Sequence, residues 1–256
     1  ALIDEGCTIP FIARYRKEKT GSLDDQILRE LFDRLTYLRN LTERKEEVQR
    51  LIAEQDKLTP EIEEALKKAV TMTEVEDIYR PYRPKKRTKA MIAKEMGLEP
   101  LSEIIFNQEL MEGDILKIAE DYVSEDLGVE SPEKAVEGAL YIIAENISDN
   151  AEIRKQLRIL IFRNGMIESK ANTEEDSVYR MYYEYSEPVN RIANHRILAL
   201  DRGESEDLLN VKIVIDEQMA YNTILKQITI NDKSVTYPLI AEAAEDAYKR
   251  LIFPSV

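Results

Sequence analysis

At 256 residues and 43% hydrophobic content, the chain holds enough material for one large or two small domains, and its single cysteine, Cys7, excludes an internal disulfide. No apolar run approaches the ~20 residues needed to cross a bilayer and nothing like a signal peptide opens the sequence, so no membrane partner is expected and a reducing cytoplasm is. The formal net charge of -14 is unevenly spread: residues 99–152 carry fifteen acidic side chains against Lys117 and Lys134, a local balance of -13, which leaves the rest nearly neutral.

In chain order, Ser22-Leu23-Asp24-Asp25 offers a helix cap with negative charge in the first turn. Beyond it Ile27, Leu28, Leu31, Phe32, Leu35, Leu38 and Leu41 recur at steps of three and four, predicting an amphipathic helix that continues through Val48, Leu51 and Ile52. Thr59-Pro60 opens the next helix, and Thr73 with Glu76 fits a capping box for a short helix stopped by Pro81. Residues 88–96, closed by Gly97, read as a helix presenting Lys89 and Lys94 on its flanks. Ser131-Pro132 starts a helix carrying Val136, Leu140, Ile143 and Ile147, and Asp149 is placed to cap another over 151–163.

The stretch 166–175 is polar and unpatterned, a loop expected to separate a region 1–165 from a second subdomain, 176–256. Tyr179, Tyr182 and Tyr183 share a helical face, and a further helix near 192–202 is expected to end at Gly203. Residues 211–215 are a strand candidate, 224–230 are ambiguous, and Tyr237-Pro238 begins a final helix through Leu251. The expected fold is mainly α: an irregular multi-helix bundle with at most a few short strands near 211–230.

Between residues 80 and 94 the chain places Arg80, Arg83, Lys85, Lys86, Arg87, Lys89 and Lys94 with no acidic residue among them. Tyr79, Pro81, Tyr82 and Pro84 are interleaved, and each proline fixes its own φ and biases its predecessor toward extended geometry. Positive charge on a stiff, aromatic-supported segment suits a polyanion; the alternative is a solvated loop offsetting acidic neighbours. Arg14, Arg16 and Lys17 follow the apolar stretch 8–12 and are a second basic candidate. Screening over about 8 Å at physiological salt lets such patches attract phosphate despite distant acid.

Catalytic chemistry is poorly supplied. His195 is the only histidine, no CxxC, HExxH or GxxxxGK[ST] pattern occurs, and the glycines never cluster, so no catalytic residue, metal ligand or cofactor is assigned. The tyrosines at 179–185 are read as core with hydroxyls at the rim, against the alternative of base stacking.

Three segments in order, GCTIPFIARYRKEKTG (6–21), EDIYRPYRPKKRTKAMIAKEMGLEPL (76–101) and NHRILALDRGE (194–204), followed by DAYKRLIFPSV (246–256), resemble the N-terminal region of the Tex family of bacterial RNA-binding transcription accessory proteins. The resemblance implies a helical portion with a helix-turn-helix-like element, a fragment of a longer protein in which a resolvase-like domain, helix-hairpin-helix segments and an S1 domain follow. It implies a non-enzymatic scaffold with an auxiliary, sequence-independent RNA or DNA contact. The alternative is a docking module for proteins of the transcription machinery through the acidic face.

Overall fold

Helix caps set most of the element boundaries. The computed structural model describes residues 2–84 and 86–256 and divides into two units, Ala1–Arg83 and Pro84–Val256.

In the first unit, α1 (Ile9–Tyr15), with a proline in its first turn, packs on α3 (Asp25–Ala53) and is joined to it through the short α2 (Lys17–Thr20). Gly21 ends α2 in the left-handed region at φ 63°, and Asp24, rather than Ser22, caps α3 by accepting from the Ile27 N–H at 2.9 Å. Thr59 caps α4 (Pro60–Lys68). The capping box of α5 (Met72–Tyr79) is formed by Thr71 and Glu74, two residues upstream of the pair predicted. Both pairs have the required spacing, but Glu76 is drawn away by two arginines. The core of this unit joins Leu41, Val48 and Ile52 of α3 to Leu66, Ala69, Val75 and Tyr79. The predicted stripe of α3 is therefore covered only in part: Leu28 and Leu41 are buried, whereas Ile27, Leu31, Phe32 and Leu38 are 37–47% exposed.

The second unit is built around one helix. It contains α6 (Lys89–Glu95), α7 (Glu99–Asn107), α8 (Ile115–Ala119), α9 (Pro132–Asp149), α10 (Ala151–Asn164), α11 (Asn194–Ser205), α12 (Glu217–Ile228) and α13 (Tyr237–Asp246). Beyond α13 the chain continues as a π-helical stretch, Ala247–Ile252. Thr88, read as the first helical residue, instead caps α6, Ser131 caps α9 where Ser131-Pro132 was expected to start it, and Asn150, rather than Asp149, caps α10. Helix α9 buries Ala135, Gly138, Ala139, Ile142, Ile143, Ala144 and Ile147 against α6, α7, α8, α13 and the π-helical stretch. Gly138 is what lets α6–α7 approach so closely: a Cβ there would stand 2.4 Å from Leu98 Cδ1.

The stretch 166–175 is not a loop throughout. Met166–Ala171 forms β1, the centre of an antiparallel sheet ordered β2-β1-β3, with β2 at Glu184–Pro188 and β3 at Leu209–Val214. The third strand lies where one was expected. The first escapes a period-two reading because its composition, Met-Ile-Glu-Ser-Lys-Ala, is polar on both faces. Tyr179 and Tyr182 lie on a 3₁₀ turn and its approach, not on an α-helix, and pack with Leu200 and Leu209. Gly203 does not end α11 but sits inside it, where a Cβ would stand 2.6 Å from Leu209 Cδ1; the glycine is a packing residue. Residues 224–228 are helical, within α12.

Candidate nucleic-acid interface

The basic segment straddles the two units, with Arg80 and Arg83 in the first and Lys86, Arg87, Lys89 and Lys94 in the second. Lys85 lies outside the described residues.

Pro81 turns the end of α5 into a 3₁₀ turn, Arg80–Tyr82, that half-buries Arg80 and leaves Arg83 exposed. Glu76 binds Arg83 on one side and Arg44, from α3, at 2.7 Å on the other; Arg44 also reaches Glu47 at 2.6 Å. Both guanidiniums lie over the buried Tyr79 ring, at 5.5 Å for Arg44 and 5.8 Å for Arg83. Partial burial pushes the Glu76 carboxyl up, but the two arginines outweigh it and hold it below the usual glutamate value.

In the second unit Arg87 pairs with Glu95 at 2.7 Å and Lys94 with Glu99 at 2.7 Å, all four side chains at least 40% exposed. Lys86 is exposed and has no ion pair to any described residue. Lys89, at the start of α6, donates to the Tyr141 hydroxyl at 3.1 Å with its ammonium 4.4 Å from the ring centre. The segment is thus not bare positive charge. Most of its cations already hold one acidic or aromatic partner in a solvent-exposed contact, a type of ion pair worth only about 0–1 kcal/mol.

Arg14 and Arg16 lie near the Tyr15 and Phe11 rings, at 6.0 and 5.3 Å, and Lys17 is exposed. Arg196 is fixed by two bonds to Glu187, at 2.7 and 2.8 Å, and Glu187 also accepts from the Tyr185 hydroxyl. The Tyr179 hydroxyl meets Glu206 at 2.9 Å at the rim of its cluster. In the acidic block Glu112, Asp114, Glu120, Asp121, Glu125 and Asp126 are all exposed. Among the described residues, no helix is long and apolar enough to cross a membrane.

Two kinds of participant escaped the reading of the sequence. The counter-charges Glu76, Glu95 and Glu99 stand just outside the acid-free window, where the flanks of the run were the available signal. Tyr141 and Glu137, on α9, are some fifty residues from Lys89, and no local pattern connects them.

The architecture defines a mainly α protein with a three-stranded antiparallel sheet and a basic segment tied down by carboxylates. The family model described as Tex central region-like matches residues 112–251, and that of the Tex-like protein N-terminal domain matches residues 1–53. The chain belongs to the Tex family. It is 46% identical over 261 residues to the uncharacterized protein YdcI of Bacillus subtilis, covering 100% of this chain and 36% of that protein. It is 39% identical over 215 residues to the transcriptional accessory protein Tex of Neisseria gonorrhoeae, covering 83% of this chain and 28% of the relative. Over 270 residues it is 27% identical to the human S1 RNA-binding domain-containing protein 1, covering 99% of this chain and 27% of the relative. The chain spans about a third of the length of these curated relatives, or less.

Proposed function

We propose that the chain is a non-enzymatic, cytoplasmic scaffold of a transcription accessory protein, with an auxiliary RNA or DNA contact that reads phosphates and not sequence. The observation that carries this reading is the state of the 86–94 cations. Lys86 is exposed and unpaired among the described residues, while Arg87 and Lys94 are each held by carboxylates that a phosphate can replace. Phosphate oxygens make short, charge-assisted bonds to arginine and lysine, so exchanging an exposed carboxylate for a strand of phosphates costs little. The name of one relative, a transcriptional accessory protein, and that of another, which contains an S1 RNA-binding domain, agree with it.

The test is binding of RNA and duplex DNA across salt concentrations. Each phosphate neutralised contributes about -0.9 to the log–log slope on duplex DNA and about -0.7 on single strands. A Lys86→Glu/Arg87→Glu variant should flatten the slope by about two contacts and weaken all sequences alike. An unchanged slope removes the segment from the interface. The exposed acidic face supports a second reading, a docking surface for a basic protein of the transcription machinery.

A further inference from the structure

A cavity of about 240 Å³ opens between α6 and α9, beside the basic segment. Its floor is apolar, formed by Ile92 and Ala93 of α6, by Met96 at the C-cap of that helix and by Val129 from the turn before α9. Its mouth is a continuous polar chain. Lys134 bonds Glu137 at 2.6 Å, Glu137 accepts from the Tyr141 hydroxyl at 2.7 Å, and that hydroxyl accepts from Lys89 at 3.1 Å. The mouth therefore offers both donors and a carboxylate acceptor, directly above hydrocarbon.

Few occupants match both layers. An aliphatic side chain satisfies the floor and leaves the mouth unused. An acidic side chain meets the Glu137 carboxylate. A nucleobase has two apolar faces for the floor and an edge that carries donors for Glu137 and acceptors for Lys134. An unpaired base is free to leave its strand and enter such a pocket, whereas a base in a duplex is not. The approach is equally specific: Lys86 and Arg87, exposed, lead along the chain to Lys89 at the lip.

We propose that this cavity receives one unpaired nucleobase from a single strand whose phosphates lie along residues 86–89. The inference rests on the nucleic-acid reading above and narrows it from any polyanion to single-stranded RNA or DNA.

The experiment uses the whole chain and three strands of equal length and charge: one with a base at every position, one fully abasic, and one abasic apart from a single central 2-aminopurine. Restoring the single base should tighten binding about ten-fold, equivalent to ~1.4 kcal/mol, and the probe's fluorescence should change on binding. In a Lys134→Ala/Glu137→Ala variant, which loses one charge of each sign, the ratio of base-bearing to abasic affinity should fall toward one. Equal affinities with the salt slope retained would overturn the pocket and leave the phosphate contact standing. Failure of every strand to bind would overturn both. A base-dependent gain that survives the double substitution places the base elsewhere and overturns the assignment, as does displacement of the probe by an acidic, leucine-rich peptide that binds more tightly than any strand.

Discussion

Glu76 serves two guanidiniums from different parts of the first unit, Arg44 on α3 and Arg83 beyond α5. Its carboxyl titrates below the ordinary glutamate value of 4.5, so the unfolded chain takes up a proton more readily than the folded one. The sign follows: the stability it contributes is complete above about pH 4.5 and is lost as pH falls through the lower folded value. In a Glu76→Gln variant the urea midpoint of the first unit should be lower at pH 7 and should decline less between about pH 5 and pH 3 than in the unaltered chain. Parallel declines would mean that the two arginines do not hold Glu76 in solution. At this scale the sequence was legible for the cations and not for their partners. A run of basic residues announces itself, whereas a carboxylate that reaches across 32 residues, as Glu76 does to Arg44, carries no local mark.

Helix α3 separates two things that hydrophobic periodicity conflates. The repeat at three and four residues shows which face is apolar; it does not show how much of that face finds cover. Toward the C-terminus, Val48 and Ile52 are wholly buried against α4 and α5, while Leu31 and Leu38 keep over 40% of their surface. Ile52→Ala should therefore cost about 2–5 kcal/mol by loss of packing, and Leu31→Ala about 0.5 kcal/mol or less, both read by chemical denaturation. Comparable costs would show that the N-terminal half of α3 is packed in solution. The same distinction explains the sheet. Strand β3 was visible through its β-branched residues Val211, Ile213 and Val214, but β1 is held by backbone pairing on both edges and needs no apolar pattern. Gly203 is the opposite case: a glycine near a predicted helix end reads as a terminator, and only the proximity of Leu209 reveals it as a contact.

Across the whole molecule, charge is segregated: residues 99–152 hold nearly all of the net -14 on a largely solvated surface. An exposed field of this kind acts over about a Debye length and fades with salt. Converting Glu112, Glu120 and Glu125 to Gln and Asp114, Asp121 and Asp126 to Asn removes six charges and keeps an Asx cap at position 114. If the acidic face only repels nucleic acid, RNA affinity should rise at low salt, and the gain should vanish toward high salt. If the face docks a partner, transcription proteins that co-purify with the chain should be lost at any salt; their retention, with RNA affinity unchanged at low salt, would leave it as a solubilising surface.

The second unit is closed from its far end. The Gln108 side chain donates to the Ile228 carbonyl at 2.9 Å and accepts from the N–H groups of Ile230 and Asn231, both at 3.0 Å. The Leu110 carbonyl receives Val235 and Ser234, and the buried Arg154 guanidinium rests on Ser255. The first unit, by contrast, completes its core within residues 41–79. On a ribosome the two units consequently mature on different clocks. At about 5–20 residues per second, the 120 residues from Gln108 to Ile228 take roughly 6–24 s to synthesise. By then the residues of the first unit's buried cluster have all been made, while α9, once synthesised, keeps the apolar side that α13 will cover facing water. The nascent chain is then most exposed to misassociation at α9, and a chaperone would find its longest-lived target there.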